Sequence, residues 1–243
     1  MAEAGEAKPF SGQLALVTGA SRGIGAATAL ALAAQGAHVI LTARDAKRLE
    51  AVEDAIFDVG GSATIAPVDL AEPDGVARLI EALATRWQSL DIVVLAAAHF
   101  PQLVSVTQLD SRELTRTLTL NVMAQQALLA HCDPMLRRSQ DARVIGLTSS
   151  VGQAPRAYWG AYGTSKAAFE ALLLAYAQEV RAISKIRVAI VDPGATRTAM
   201  RARAYPGEDP ASVKPPEAVA ARIAALAGEP FASGHRERVN QPA

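Results

Sequence analysis

A tyrosine and a lysine, Tyr162 and Lys166, stand four residues apart at the start of a predicted helix. Residues at i and i+4 share one helix face, so the phenol and the ammonium can point the same way. A free phenol has a pKa of about 10, and lowering it by three units requires roughly 4 kcal/mol. One ammonium at ~5 Å supplies roughly 3 kcal/mol at an effective dielectric constant of 20. We therefore predict that Lys166 lowers the pKa of Tyr162, which then acts as a general acid and base.

A serine precedes this pair by thirteen residues. Ser149 follows an apolar run that predicts a β-strand, and open α/β sheets bind ligands at the carboxyl ends of their strands. Its hydroxyl can hydrogen-bond a substrate oxygen and hold that oxygen near Tyr162. The alternatives are a solvated turn hydroxyl for Ser149 and a snorkelling surface lysine for Lys166. The occurrence of all three residues downstream of a glycine-rich loop favours catalysis.

The glycine-rich loop joins the first predicted strand to the first predicted helix and reads Thr18-Gly19-Ala20-Ser21-Arg22-Gly23-Ile24-Gly25. Gly19 permits a tight turn, Gly23 lets the backbone approach a pyrophosphate, and Gly25 allows the helix to pack closely on the strand. The N–H groups and the positive dipole end of the helix then face the anion. Because a strand and a helix flank it, the loop predicts a dinucleotide site rather than an ordinary strand–helix turn.

The end of the second predicted strand distinguishes between dinucleotides. An NAD-specific site usually has a carboxylate there, whereas this chain reads Thr42-Ala43-Arg44. Guanidinium groups bind phosphate in a fork geometry. Arg44, with Arg22 as a second cation, therefore predicts a 2′-phosphate and NADP(H), the alternative being two solvated surface charges. We interpret Asp45 as the N-cap of the next helix.

Asp69 ends the third predicted strand. Its carboxylate can accept a hydrogen bond from an adenine amine, or it can cap a helix before Pro73. The sequence leaves both interpretations open.

Strand and helix patterns alternate along the chain, which predicts a parallel sheet with helices on both faces. The strands are predicted at 14–18, 38–42, 64–68, 92–95, 143–148 and 187–191, with a weaker one near 236–240. The helices are predicted at 24–35, 46–59, 74–87, 111–137, 164–183 and 216–227. Right-handed crossovers favour a Rossmann-type, doubly wound α/β fold with six to seven strands.

We interpret residues 1–243 as a single dinucleotide-binding and catalytic domain, with a flexible N-terminal segment at 1–10. An irregular segment at 195–215 is predicted to be a substrate loop, because long loops in compact domains are often functional. The rest of the substrate pocket is expected from 98–105 and 151–159. Within these segments, aromatic residues either line the pocket or simply pack: Tyr158 and Trp159. Three arginines either attract an anionic substrate or form a solvated loop face: Arg197, Arg201 and Arg203.

Composition disfavours several classes of protein. The chain has 24 basic and 24 acidic residues, so neither a nucleic-acid tail nor a polybasic membrane anchor is expected. The N-terminus lacks the features of a secretion signal, and the apolar stretches end before the ~18 residues of a membrane-spanning helix. The single cysteine, Cys132, excludes an internal disulfide and fits a cytoplasmic location. The four histidines lack metal-ligand spacing, so no metal site is predicted.

These residues together resemble the short-chain dehydrogenase/reductase family in its compact single-domain branch, from about residue 14 to 234. Beyond the glycine loop, the resemblance is carried by Asp69, Asn121, Ser149, Tyr162, Lys166 and Pro193-Gly194. It implies an oxidoreductase that transfers a hydride between NADP(H) and a small-molecule carbonyl or alcohol. It also implies a homodimer or homotetramer formed through the helices that begin near Ser111 and Thr164. The segment 198–210 further resembles a bacterial subgroup of poorly assigned oxidoreductases.

The resemblance implies a role for each residue. Ser149 orients the substrate, Tyr162 transfers the proton, and Lys166 lowers the pKa of the tyrosine and binds the nicotinamide ribose. Asn121 holds a water in a proton relay to Lys166. The nicotinamide is lined by Pro193-Gly194, with Thr198 near its carboxamide. The expected cofactor-binding residues are Gly19, Ser21, Arg22, Gly23, Ile24, Gly25, Arg44, Asp69, Leu70, Ala96, Ala97, Tyr162, Lys166, Pro193, Gly194, Thr196 and Thr198.

Three features depart from the family pattern. The family usually carries Asn-Asn-Ala-Gly after the fourth strand, whereas this chain reads Leu95-Ala96-Ala97-Ala98-His99. Gly146 stands where an asparagine is frequent, and the C-terminus lacks the usual Asp-Gly-Gly. The first departure favours an alternative function, a nucleotide-binding regulator with this fold and little catalysis. A sugar-nucleotide epimerase or dehydratase is disfavoured, since it usually needs an additional substrate domain.

Overall fold

The computed structural model describes residues 8–240, which form a seven-stranded sheet with parallel pairing throughout. The strand order is β3-β2-β1-β4-β5-β6-β7, which is a doubly wound order. The strands are β1 Leu14–Thr18, β2 His38–Ala43, β3 Ser62–Pro67, β4 Ile92–Leu95, β5 Arg143–Leu147, β6 Arg187–Asp192 and β7 His235–Arg238. The predicted fold class is confirmed.

Helices cover both faces of this sheet and enclose two apolar cores. They are α1 Gly23–Ala34, α2 Ala46–Asp58, α3 Gly75–Ala84, α4 Ser111–Leu118, α5 Ala124–Leu136, α6 Gly160–Arg181, α7 Ala199–Ala204 and α8 Pro216–Gly228. Leu16 of β1 belongs to the core with α3, α5 and α6, whereas Val17 belongs to the core with α1, α2 and α8. Successive strand residues point to opposite faces. Because both faces are covered, β1 is apolar at nearly every position.

The helix predicted over 111–137 is helical throughout 111–136, but a π-helical turn at Thr119–Met123 divides it into α4 and α5. Asn121 lies within this turn, and its side chain bonds to His99 and to Ser165. π-Helical turns of this kind often occur at functional sites. The apolar periodicity continues across the turn, so the sequence alone predicted one helix.

Other boundaries shift by a few residues. The helix predicted from residue 164 begins at Gly160, so Tyr162 lies within α6. The third strand begins two residues earlier than predicted, because Ser62 already pairs with His38, the first residue of β2. The segment 195–215 is less irregular than predicted. It contains α7 and a 3₁₀ turn at Pro210–Ser212. Near its two ends, Thr196 and Lys214 form an isolated parallel β-bridge.

The predicted flexible N-terminal segment, 1–10, lies mostly outside the described residues. Its last residue, Phe10, is buried, and its N–H donates to the carbonyl of Gln35 at 2.9 Å. The packed chain therefore begins before residue 11. Within residues 8–240, no helix is both long and apolar enough to cross a membrane.

Candidate active site

A cleft of about 630 Å³ opens at the carboxyl ends of the central strands. It lies beside β1, where the strand order reverses between β2 and β4, and ligands bind at this point in such sheets. Most of the predicted site residues line it: Gly19, Ser21, Arg22, Gly23, Ile24, Gly25, Arg44, Asp69, Leu70, Ala96, Ala97, Tyr162, Lys166, Pro193 and Thr198. The fold thus brings together residues that are far apart along the chain.

The glycine loop forms the floor of this cleft. Gly19 has a φ of +66°, and a Cβ atom there would lie 2.9 Å from the Cα of Ala97. A Cβ atom at Gly25 would overlap the carbonyl oxygen of Gly19. Side chains are therefore excluded, and the backbone of the loop is open to a ligand. Since α1 begins at Gly23, the first-turn N–H groups, which have no intrahelical partner, lie beside the cleft.

Cations line the far end of the cleft, at the end of β2. The Arg44 side chain is 62% exposed, and its Nη1 lies 3.7 Å from Asp69 Oδ2. Arg22 and Arg48 also line the cleft, and no feature of the sequence distinguishes Arg48. Asp45 accepts a hydrogen bond from the Arg48 N–H at 3.2 Å, which confirms it as the N-cap of α2. Three arginines thus line the cleft, of which Arg44 pairs with Asp69 and Arg48 with Asp45 through largely exposed contacts.

Asp69 does not cap a helix, so that alternative is wrong. The N-cap position of α3 is Asp74. Asp69 instead accepts a hydrogen bond from the Ala71 N–H at 3.0 Å and pairs with Arg44. Its carboxylate therefore fixes the turn after β3 on the cleft wall.

Tyr162 and Lys166 both lie on the cleft-facing side of α6. They are 6% and 4% exposed, and the Lys166 Nζ lies 5.7 Å from the centroid of the Tyr162 ring. The Nζ donates to the carbonyl of Leu147, the last residue of β5, at 2.9 Å. The helical spacing thus places the two groups side by side.

Burial dominates the titration of both groups. It raises the pKa of the Tyr162 phenol above its ordinary value, and the negative charge of Asp192 adds to this. Burial thus opposes the lowering predicted from Lys166, which also relied on the positive charge of an oxidised nicotinamide. Burial also lowers the pKa of Lys166 to about 8, because a buried ammonium loses its hydration. In the absence of ligands, Tyr162 remains a neutral phenol at neutral pH.

Within the described part of the chain, four predicted site residues lie outside the lining of the cleft: Asn121, Ser149, Gly194 and Thr196. Ser149 is half-buried and precedes a 3₁₀ turn at Ser150–Gly152. Its neighbour Thr148 lines the cleft and donates to the buried carboxylate of Glu170, which pairs with Arg236. This network fixes the end of β5 from which Ser149 extends.

Gly194 and Thr196 shape the loop after β6. The Gly194 N–H donates to Asp192 Oδ1 at 2.9 Å, and the Thr196 hydroxyl donates to the Pro193 carbonyl at 3.0 Å. Both residues therefore hold the loop that carries Pro193 and Thr198 to the cleft.

The Asn121 side chain joins the backbone of His99, in the loop after β4, to α6. Its Oδ1 accepts from the His99 N–H at 2.7 Å, and its Nδ2 donates to the His99 carbonyl at 2.9 Å. The same Nδ2 donates to the Ser165 hydroxyl at 3.0 Å. Both amide hydrogens are thus used within the protein. This side chain positions the loop after β4 against the helix that carries Lys166.

The apolar segment after β4 is held by two further side chains that the sequence did not single out. The Thr18 hydroxyl accepts from the N–H groups of Ala96 and Ala97 at 3.0 and 3.1 Å. Gln125 Nε2 donates to the Ala97 carbonyl at 3.2 Å. The backbone of this segment is thus hydrogen-bonded from β1 and from α5. In the sequence, the feature that pointed to this role of Thr18 was its position as a polar residue at the end of a strand, next to a glycine.

Thr18→Val should lower the free energy of unfolding by about 1–3 kcal/mol, since it leaves two backbone N–H groups without an acceptor. Urea unfolding measures the loss. Thr28→Val is the matched control, because Thr28 is equally buried and its hydroxyl has no hydrogen-bond partner among residues 8–240. Equal losses in the two variants would contradict the role assigned to Thr18.

Lys166 should make stability depend on pH in a predictable direction. Its folded pKa of about 8 lies below the ordinary 10.5, so the folded state binds fewer protons than the unfolded chain between these values. The free energy of unfolding, relative to Lys166→Met, should therefore rise by about 2 kcal/mol from about pH 8 to about pH 9.5. Urea unfolding at several pH values measures this difference. A difference that stays constant with pH would show that burial does not lower this pKa.

Met200 covers the Tyr162 hydroxyl. This residue of α7 is half-buried, and the hydroxyl lies 3.7 Å from its Sδ. Met200 falls within the predicted substrate loop, but no feature of the sequence distinguished it from its neighbours. In this structure, the thioether occupies the space beside the phenol oxygen.

The fold, the glycine loop and the Tyr162–Lys166 pair together define an oxidoreductase of the short-chain dehydrogenase class. A family model described as short chain dehydrogenase matches residues 13–209, and the chain belongs to this family. The resemblance noted in the sequence is thereby confirmed.

Similar proteins support this assignment. The uncharacterized oxidoreductase YciK of Escherichia coli is 33% identical over 207 residues, 84% of this chain and 81% of that protein. A short chain dehydrogenase structure from Pseudomonas syringae has a TM-score of 0.93 and 34% identity, over 96% of this chain and 97% of the other. A short chain dehydrogenase structure from Escherichia coli CFT073, complexed with NADPH, has a TM-score of 0.92 and 31% identity, over 97% of this chain and 100% of the other.

Proposed function

We propose that this protein transfers a hydride between NADP(H) and the carbonyl or alcohol group of a small molecule. One observation carries the proposal: Tyr162 and Lys166 are buried side by side in the cleft that begins at the glycine loop. A neutral phenol at that position can give a proton to a carbonyl oxygen. The family assignment supports oxidoreductase chemistry at the same cleft.

The residues present fit a dinucleotide phosphate. The loop at Gly19 excludes side chains, and the first turn of α1 offers N–H groups to the pyrophosphate. Arg44 would hold the 2′-phosphate, with Arg22 and Arg48 adding positive charge. The structural relative solved with NADPH supports the same choice of cofactor. In this proposal, Pro193 and Thr198 hold the nicotinamide end.

The chain's own groups supply the proton and position the substrate. In the reducing direction, NADPH held by these residues would supply a hydride to the carbonyl carbon. Tyr162 donates its proton to the carbonyl oxygen, and the proton is then replaced from solvent. Lys166, charged below its pKa of about 8, stabilises the phenolate formed in that step. Ser149, held by the network at the end of β5, orients the substrate oxygen.

The proposal is tested by NADPH oxidation with a panel of aldehydes and ketones, using the wild type and Tyr162→Phe. Turnover that disappears in the variant supports it. The second candidate is a nucleotide-binding regulator, favoured by the departure at Leu95–Ala98. That segment is held in place by Thr18 and Gln125, which supports a working cofactor site. NADPH binding with no turnover across the panel would favour the regulator.

One face of α6 is suited to self-association. Three small side chains lie exposed one turn apart on α6: Ala167, Ala171 and Ala175. Small residues permit close approach of a second helix. We therefore propose a homodimer or homotetramer in which α6 contributes to the interface.

A further inference from the structure

Aromatic side chains crowd the substrate side of Tyr162. The chain has five Phe, four Tyr and two Trp, and four of these rings meet here. The Phe100 ring lies 5.1 Å from that of Tyr162 and 5.5 Å from that of Trp159. The Trp159 ring lies 5.9 Å from that of Tyr205. We call Phe100, Trp159, Tyr162 and Tyr205 the aromatic cluster.

The aromatic cluster draws on all three segments expected to form the substrate pocket. Phe100 belongs to the first segment, Trp159 to the second, and Tyr205 to the loop after β6. Val151 and Met200 pack on the same rings. The surroundings of the proton donor are thus apolar and come from separate parts of the chain. Phe100 is buried, and of these side chains Tyr162 and Met200 line the cleft itself.

Three nearby arginines are already paired within the protein, whereas Arg197, which lines the cleft, makes no side-chain hydrogen bond or ion pair among residues 8–240. Arg201 Nε and Nη2 bond to the Glu208 carboxylate at 2.6 and 2.5 Å. Arg203 Nη2 donates to the Phe100 carbonyl at 3.1 Å, and Arg156 Nη1 donates to the Tyr205 hydroxyl at 3.1 Å. The Arg201 guanidinium also lies 3.7 Å from the centroid of the Tyr205 ring. These contacts disfavour an anionic substrate group at Arg156, Arg201 or Arg203, because it would have to displace them.

The Met200 sulfur occupies the position beside Tyr162 that a substrate oxygen would need. Its Sδ lies 3.7 Å from the Tyr162 hydroxyl, so a carbonyl that receives the proton must displace it. Methionine side chains are flexible and pack well against aromatic rings. A displaced Met200 can therefore remain in contact with an apolar ligand.

We propose that the substrate is a neutral, apolar carbonyl compound with an aromatic or comparably hydrophobic skeleton. Its oxygen replaces the Met200 sulfur at Tyr162, and its skeleton packs against Phe100 and Trp159. This inference rests on the proposed function, since it assigns Tyr162 to the substrate oxygen. It adds the class of substrate, which the catalytic residues themselves do not determine.

Ligand binding can be measured without turnover, because the chain has two tryptophans and only Trp159 lies in the aromatic cluster. Trp87→Phe leaves Trp159 as the reporter, and Trp159→Phe leaves Trp87. The NADP⁺-loaded variants are titrated with 4-phenyl-2-butanone. We expect a saturable change of emission in Trp87→Phe and only a weak linear change in Trp159→Phe. A linear, unsaturable response in both variants would overturn the proposal.

Turnover is compared for three methyl ketones that differ only at the far end. These are 4-phenyl-2-butanone, 4-hydroxy-2-butanone and levulinate, which end in a phenyl, a hydroxyl and a carboxylate. Burial of one phenyl ring should raise kcat/KM about 30-fold over the hydroxyl compound, equivalent to about 2 kcal/mol. Equal or higher kcat/KM for levulinate would overturn the proposal. If neither these ketones nor the wider panel of aldehydes and ketones is reduced, the proposed function fails, while the Trp159 titration still tests binding.

Met200 offers a matched pair of variants on the surface of the cleft. Met200→Leu keeps the side chain apolar, whereas Met200→Gln has a similar length and is polar. The preference for the phenyl compound should persist in Met200→Leu and fall about tenfold in Met200→Gln, since a polar group then faces the apolar skeleton. An unchanged preference in both variants would contradict the placement of the ligand.

Discussion

Replacing Tyr162 with phenylalanine should lower kcat for carbonyl reduction by a factor of about 10²–10⁴, the usual contribution of a positioned general acid. The change removes one oxygen from a side chain that is 6% exposed, so the ring still fills its place among its aromatic neighbours. The measurement is steady-state NADPH oxidation with a carbonyl compound that the wild type reduces.

Tyr176→Phe is the matched control for this experiment. Tyr176 lies on the same helix, and its hydroxyl donates to Asp133 Oδ1 at 2.8 Å, away from the cleft. The Tyr176→Phe variant also loses a phenol oxygen, yet the kcat of this variant should stay within about twofold of the wild-type value. NADPH affinity, followed by fluorescence, should be similar in both variants. Unchanged turnover in Tyr162→Phe, with NADPH still bound, would refute the acid and base role.

Arg44→Ala should weaken NADPH binding about 10- to 30-fold and leave NADH binding within about twofold. A hydrogen bond to a charged group contributes about 1.5–3 kcal/mol, and the lower end applies because the side chain is 62% exposed. NADH lacks the 2′-phosphate and so has no partner to lose. Titration of both cofactors by fluorescence at low salt measures the effect.

Arg78→Ala is the control for the general loss of positive charge. Arg78 is 61% exposed and pairs with Glu72 at 3.4 Å, which closely matches Arg44 and its partner Asp69. Its replacement should leave both cofactors unaffected. The loss in Arg44→Ala should also shrink as salt is added, since exposed charges are screened. Equal losses for NADPH and NADH would contradict recognition of the phosphate by Arg44.

The sequence determined the features that depend on near neighbours in the chain. Strands that are apolar at nearly every position predicted a sheet covered on both faces, and alternation with helices predicted parallel order. The glycine loop needs only a strand before it and a helix after it. Tyr162 and Lys166 face the same way because four residues make about one helical turn. These are local rules, so they hold before any tertiary contact forms.

Tertiary packing decided the rest of the site. Three features of the site depend on contacts between residues 22 to 79 positions apart in the chain. They are the bonds of Asn121 in the π-helical turn, the support of Ala97 by Thr18 and Gln125, and the position of the Met200 sulfur over Tyr162. The direction of the Tyr162 pKa shift was decided in the same way. The charge of Lys166 could be inferred from spacing, but the burial that outweighs it depends on how α6, α7 and the loop after β4 close around the ring. Desolvation is a property of the whole packed environment, and a pattern of neighbouring residues does not contain it.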